Sequence, residues 1–190
     1  MYSIKENKIY EYEIKKSRFI GLIYKVSNTQ DINIILNKVK ELYKDATHYC
    51  YSYFLGNDYH FSDDGEPSGT AGLPITEVLK KNNLTNVLCI VVRYFGGIKL
   101  GAGGLVRAYT KASVNVINEC EIAELIDGYL VEIEAKYEDI KNLDNILRNM
   151  KIVNKVFNDK VIYQVLITKD NINLINKYSY KIIKDLKIEK

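Results

Sequence analysis

One stretch decides the fold, Ser62 to Ser113: SDDGEPSGTAGLPITEVLKKNNLTNVLCIVVRYFGGIKLGAGGLVRAYTKAS. Eight of the chain's eleven glycines and both prolines lie between Gly65 and Gly104. Glycine costs backbone entropy on folding, so such clustering points to left-handed turns or to backbone approaching something closely. An acidic turn opens the stretch, an apolar strand crosses it, and a glycine-rich turn leads into a helix bearing Arg107 and Lys111. Asn86–Tyr94 is a β-branched run of strand length, the pattern of a strand buried on both faces. Pro74 opens a short helix to about Lys81. Leu105–Glu119 is helical, with Leu105, Ala108, Ala112 and Val116 on one side.

Outward from this stretch the pattern stays mixed. Lys8–Ile14 and Lys15–Val26 read as strands, the second apolar on both faces and so central to a sheet. Asn28 or Thr29 caps a helix whose Ile32, Ile35, Leu36, Val39, Leu42 and Tyr43 form one stripe, ending near Asp45. His48–Leu55 (HYCYSYFL) is an aromatic strand closed by a turn at Gly56-Asn57-Asp58, with Tyr59–Ser62 as a short antiparallel partner. Asp127-Gly128 marks a boundary, and beyond it the pattern restarts. Strand 129–135, helix 138–150, strands 152–157 and 161–168, helix 171–180 and strand 181–187 give the βαββαβ order of ferredoxin-like domains. The expected fold class is α+β, in two domains covering residues 1–127 and 128–190.

Composition narrows the class further. Hydrophobic content of 47% and charged content of 27% are ordinary for a globular protein. The N-terminal MYSIKENKIYEYEIKKSRF lacks the apolar block of a signal peptide, and no later run approaches a membrane span, so no membrane partner is expected. Cys50, Cys89 and Cys120 are scattered, without a CxxC, which fits reduced thiols in the cytoplasm rather than a disulfide framework or zinc site. The net charge of +3 is too small to establish a nucleic-acid partner. Residues 1–127 carry 15 basic and 15 acidic side chains, and residues 128–190 carry 12 and 9. In a chain heavy in Lys, Asn, Ile and Tyr, the arginines Arg18, Arg93, Arg107 and Arg148 are better markers of a site than the lysines.

Several groups in the central stretch have chemical potential. Asp63, Asp64 and Glu66 fall within four positions. The favoured reading is a turn whose carboxylates accept from nearby backbone N–H groups; the minority reading is a divalent-cation site. Ser68 and Thr70 precede the short helix, where they serve either an anion or a cap. His48 and His60 sit in aromatic strands and read as packing or edge residues. Arg93 closes the buried strand, either facing a ligand or forming an internal ion pair with Asp63, Asp64 or Glu66. Gly96, Gly97, Gly101, Gly103 and Gly104 fail both the P-loop and the dinucleotide spacings, because Ala102-Gly103 stands where Lys-Ser/Thr is required and Val106 where the last glycine is. A phosphate-compatible glycine loop remains, as does a tight strand-to-helix crossover.

DDGEPSGTAGLP (63–74), VVRYFGGIKLGAGGLVRAYTKA (91–112), KKSRFIG (15–21) and ATHYCYSYFLG (46–56) resemble the IMPACT/YigZ family, in order and from residue 15 to about 115. The resemblance implies an N-terminal domain of the ribosomal-protein-five domain-two-like fold, a sheet with helices on one face. It also implies a ferredoxin-like C-terminal domain similar to the last domain of elongation factor G. The eukaryotic namesake regulates translation through a further domain, so its partner does not carry over.

The resulting expectation is a non-catalytic cytoplasmic regulatory protein that binds RNA or the ribosome, with no cofactor or metal. Arg93, Lys99, Arg107 and Lys111 would meet phosphates, and Tyr94 and Tyr109 would stack on bases. One alternative is a nucleotide-binding enzyme using the glycine loop and acidic turn, although Val106-Arg107 stands where similar small-molecule kinases carry serines. The other is a protein-interaction module with a partner in translation control.

Overall fold

The computed structural model describes residues 1–190 and divides into two compact units, Met1–Ala123 and Glu124–Lys190. The first unit holds strands β1 (Tyr2–Ile4), β2 (Lys8–Ile14), β3 (Ser17–Lys25), β4 (His48–Leu55), β5 (Asp58–Ser62) and β6 (Val87–Tyr94). Its helices are α1 (Thr29–Leu42), α2 (Gly72–Lys81) and α3 (Ala102–Asn118).

A five-stranded sheet runs β2-β3-β6-β4-β5, antiparallel throughout, with β6 in the middle. Its burial matches the β-branched run: every residue from Val87 to Arg93 is buried. Alternation sorts that run onto two faces. Val87, Cys89 and Val91 join Phe19 and Ile23 against α2 and α3, whereas Leu88, Ile90 and Val92 join Ile20 and Leu22 against α1. The sheet is therefore sandwiched, and the expectation of helices on one face is corrected. Two apolar faces on one central strand need two covers, because each buried Val, Leu or Ile is stabilised by about 1.5–3 kcal/mol only if its own side is closed.

Local signals explain the helix ends. Asn28 caps α1, its side chain accepting from the Asp31 N–H at 2.9 Å. Pro74 sits in the first turn of α2, and the Thr76 hydroxyl donates to Ser52 Oγ of β4 at 2.8 Å, fixing that helix on the sheet. α3 starts after Gly101, whose φ of 71° suits glycine. It lies closely on β3: a Cβ on Gly21 would stand 2.7 Å from the Ala112 carbonyl oxygen. The short β1 escaped the sequence reading, since three residues show no periodicity. Tyr2 nonetheless pairs with the segment after α2, accepting from Thr85 N and donating to Asn83 O, both at 2.9 Å, and Ile4 is fully buried.

The second unit contains most of β7 (Ile122–Ala135), then α4 (Ile140–Ile146), β8 (Lys151–Phe157), β9 (Val161–Thr168) and β10 (Ser179–Glu189). Within it the strands run β8-β9-β7-β10, all antiparallel. β9 alternates buried and half-buried, so Val161, Tyr163, Val165 and Ile167 form one core face with Leu143, Leu147 and Ile175. The boundary expected at Asp127-Gly128 falls inside β7. Gly128 serves close packing there: its Cβ would meet the Ile188 side chain at 2.1 Å. The helix expected over 171–180 is instead a 3-10 segment, Lys169–Ile175, ahead of a longer β10. Its asparagines, Asn171, Asn173 and Asn176, compete with helical hydrogen bonding, and only Ile175 is buried to hold it. The expected helix 138–150 likewise shortens to α4, preceded by a 3-10 turn at Tyr137–Asp139.

Candidate functional site

Register brings the motif residues together at one end of the first unit's sheet. Arg93 of β6 stands opposite Phe19 of β3 and His48 of β4, so the three share one row and one face. On that face the acidic turn folds over β4 and α3 passes above, delivering Glu66 and Tyr109. Arg93 Nη1 lies 2.6 Å from Glu66 Oε1, with side chains only 6% and 3% exposed. The fully buried Tyr109 hydroxyl donates to the same oxygen at 2.7 Å. His48 Nε2 approaches it at 3.8 Å, and the Cys50 thiol reaches the Tyr109 hydroxyl at 3.4 Å. Arg93 Nη2 contacts Ser17 Oγ at 3.5 Å, and its guanidinium carbon sits 5.4 and 5.3 Å from the Phe19 and Phe95 rings.

The other carboxylates are also engaged. Asp63 accepts from three backbone N–H groups ahead of and opening α2: Gly69 at 2.9 Å, Ala71 at 3.0 Å and Gly72 at 2.8 Å. It caps that helix from outside, since Ala71 at the cap position offers no side-chain acceptor. Asp64, with φ of 42°, accepts from Tyr49 N at 2.6 Å, while its carbonyl oxygen lies 2.8 Å from His48 Nδ1. Thr70 turns inward to donate to the Pro67 carbonyl at 2.6 Å, and Ser68 is exposed. Against the minority metal reading, both oxygens of Asp63, Oδ2 of Asp64 and Oε1 of Glu66 are bonded to backbone N–H groups, Arg93 or Tyr109, and no group of three or more such side chains is arranged to hold an ion. Asp63→Ala should cost about 2 kcal/mol, the upper end for a lost cap; urea unfolding would read it, with Asp64→Ala as the milder comparison.

Buried acidity here is suppressed. Burial pushes the Tyr109 phenol far above its ordinary value, so it remains a donor to Glu66. Burial likewise pushes the Cys50 thiol up to about 12, which removes it as a nucleophile near neutral pH.

The expected contact residues divide sharply. Arg93 and Tyr109 face the interior, and stacking on a base requires an open ring face that Tyr109 lacks. For Arg93 the internal ion pair is the arrangement observed, with Glu66 as the acid. Tyr94 is half-buried, its hydroxyl 3.1 Å from the Lys44 carbonyl and its ring under Arg18 at 5.4 Å. Lys99, Arg107 and Lys111 are exposed along the loop before α3 and its first turns. None of the three has an ion-pair partner, and Lys111 Nζ rests 4.7 Å from the Tyr12 ring. In the glycine loop, Gly97 and Gly101 have positive φ with nothing within 4 Å, whereas Gly96 lies against the Lys16 backbone. Gly103 and Gly104 form the first turn of α3. Ser17, His48 and Cys50 were not foreseen as members of this network; their strands were legible, but the register joining them was not.

The fold and site define an α+β protein of two units in which an acidic turn is locked to the central strand by a buried ion pair. Residues 15–117 match the Impact N-terminal domain. The chain is 36% identical over 182 residues to IMPACT family member YvyE of Bacillus subtilis, covering 93% of this chain and 84% of that one. It is 31% identical over 160 residues to IMPACT family member YigZ of Escherichia coli, covering 80% and 78%. A crystal structure of a hypothetical protein superposes with a TM-score of 0.68 at 26% identity, over 95% of each chain. The chain belongs to the IMPACT family.

Proposed function

We propose that this protein is a non-catalytic cytoplasmic regulator that contacts RNA or the ribosome, in the control of translation. The observation that carries the reading is the set of exposed, unpaired cations Lys99, Arg107 and Lys111, in the glycine loop and on the helix that follows it. Arg107 and Lys111 are one helical turn apart and share a face of α3. Backbone phosphate is the partner that such a set of cations suits best. The acids and the thiol of the motif, by contrast, are committed to internal bonds, which favours binding over catalysis. Fold-level analogy adds a weaker support. The order β10-β7-β9-β8 is that of a ferredoxin-like sheet, the fold that the family resemblance likens to the last domain of elongation factor G.

The test compares wild type with a Lys99→Gln/Arg107→Gln/Lys111→Gln variant in co-sedimentation with ribosomes and in binding to a single-stranded oligoribonucleotide across salt. Each lost phosphate contact lowers the log–log salt slope by about one, so the slope should fall by about three. An unchanged slope overturns the reading. A second reading, docking of a partner protein, is favoured by a groove of about 420 Å³ between α2 and α3, whose lining includes Leu73, Val78, Val106 and Val114. Ribosome association that survives both nuclease and the triple variant would support it instead.

A further inference from the structure

The opposite face of the same sheet carries a second arrangement that the motif network does not use. In HYCYSYFL the tyrosines alternate, so Tyr49, Tyr51 and Tyr53 project on one side of β4 while Cys50, Ser52 and Phe54 project on the other. The tyrosine side is the α1 side. β5 adds to it, because Tyr53 pairs with His60 and Tyr51 with Ser62 across the hairpin. The Tyr51 and Tyr53 rings lie 6.1 and 5.9 Å from the His60 ring at 45° and 40°, splayed rather than stacked upon one another. All three rings are partly or fully exposed.

α1 walls this floor along one flank. Between them is a groove of about 550 Å³ whose lining includes Asn33, Asn37, Lys40, Tyr49 and Tyr51. That volume is in the range of small-ligand sites. Asn33, Asn37 and Lys40 recur at helical spacing and are exposed. Neither asparagine amide bonds to any other group of the protein, and Lys40 has no ion-pair partner. The Lys40 ammonium stands 5.8 Å over the Tyr49 ring, which is held in place by its hydroxyl's 2.6 Å bond to the Tyr43 carbonyl. The groove's one carboxylate, Asp64, already accepts from Tyr49 N at 2.6 Å. The floor thus supplies flat apolar faces, the wall supplies two free amides that both donate and accept, and Lys40 supplies a positive charge with no ion-pair partner, while Asp64 is bonded through one oxygen to the Tyr49 N–H. A planar heterocycle with polar edges and an anionic tail satisfies all three.

We propose that the groove between α1 and the β4–β5 hairpin binds a nucleotide unit, with its base stacked on Tyr51 and extending toward Tyr53, the next ring of the row just beyond the groove's lining, its edge read by Asn33 and Asn37, and its phosphate met by Lys40. The unit is supplied either by an unpaired single strand or by a free mononucleotide. Stacking on aromatic side chains is sequence-tolerant because every base presents a flat face, and the amides then add preference through the base edge. This site lies across the sheet from Lys99, Arg107 and Lys111, and it does not depend on that surface.

The experiment measures anisotropy of fluorescein-labelled octaadenylate and octauridylate against an abasic oligomer of equal length at low salt. Tyrosine ring resonances are followed in parallel with AMP and UMP. The base-bearing strands should bind about tenfold or more tightly than the abasic one. Tyr51→Leu/Tyr53→Leu should erase that gap while leaving abasic binding intact. Asn33→Ala/Asn37→Ala, at exposed helix positions that folding tolerates, should narrow it. The Lys99→Gln/Arg107→Gln/Lys111→Gln variant should weaken all three oligomers alike and preserve the gap, which separates this site from the phosphate surface. Shifts of the Tyr51 and Tyr53 resonances with AMP identify a mononucleotide site, whereas a gap seen only with oligomers identifies a strand site; either supports the proposal. Equal affinity for base-bearing and abasic strands with no response to mononucleotide overturns it, as does a gap that survives both groove variants.

Discussion

Replacing Glu66 with alanine lowers the stability of the first unit by about 3–5 kcal/mol, the cost of breaking a buried ion pair from one side. The magnitude follows from what is left behind. Arg93 is only 5% exposed, and its Nε has no hydrogen-bond partner even with Glu66 present. Without the carboxylate its charge rests on Ser17 Oγ at 3.5 Å and the faces of Phe19 and Phe95. Tyr109 loses its acceptor in the same step. At about 2–4 °C per kcal/mol for a chain of this size, thermal unfolding of that unit should move down by roughly 10 °C. Arg93→Met alone should cost a similar amount, because it strands the Glu66 carboxylate. The double variant Glu66→Met/Arg93→Met should recover much of the loss, since apolar groups of similar volume replace a buried pair with little penalty. Additive losses in that cycle, or a Glu66→Ala cost below about 1 kcal/mol, would show that the pair does not anchor the turn.

Such a pair is half legible in the sequence. Arg93 at the end of a buried strand, with three acids some thirty residues upstream, already raised an internal pair, because a buried guanidinium needs an acceptor. Choosing Glu66 over Asp63 and Asp64 required tertiary geometry. Asp63 is spent on the N–H groups of Gly69, Ala71 and Gly72, and Asp64 on that of Tyr49. The strands were legible for a related reason: HYCYSYFL and the Val87–Tyr94 run carry their pattern within themselves, and the structure returns His48–Leu55 as β4 without a shift. Nothing local told which side of the sheet α1 would cover. Its stripe fixes which helix face is buried, not the direction in which the chain crosses. The same limit hid the partnership of Ser17, His48 and Arg93, which exists only through the register of β3, β6 and β4. At Asp127-Gly128 the turn-like dipeptide misled, since the space left by the missing Gly128 side chain is filled by Ile188 inside a paired strand.

The glycines of the loop separate by the same kind of argument, and Gly96→Ala is expected to be the most damaging single substitution among them. A Cβ on Gly96 would stand 1.9 Å from the Lys16 carbonyl oxygen, 2.0 Å from its carbon and 2.5 Å from Ser17 N. All three are backbone atoms, so no side chain can swing aside; the β2–β3 turn itself must move. That turn is already strained, with Lys15 and Lys16 at φ of 47° and 61°. It is tied to the loop through Gly96 N donating to Ser17 Oγ at 3.2 Å, the same hydroxyl that Arg93 reaches. The cost should exceed the roughly 1–3 kcal/mol usual for overpacking, because the clash is with main chain and the displacement reaches the ion pair. Gly97→Ala and Gly101→Ala meet no atom within 4 Å and bear only the left-handed penalty, about 1–2 kcal/mol each. Urea unfolding of the three variants should therefore rank Gly96→Ala well below the other two. Oligoribonucleotide affinity gives a second measure: Gly96→Ala should weaken it even where the protein stays folded, since Lys99 rides on the displaced loop. Equal stability losses at Gly96 and Gly97 would mean that the loop accommodates a side chain at either position, and that its glycines serve φ rather than close approach to the β2–β3 turn.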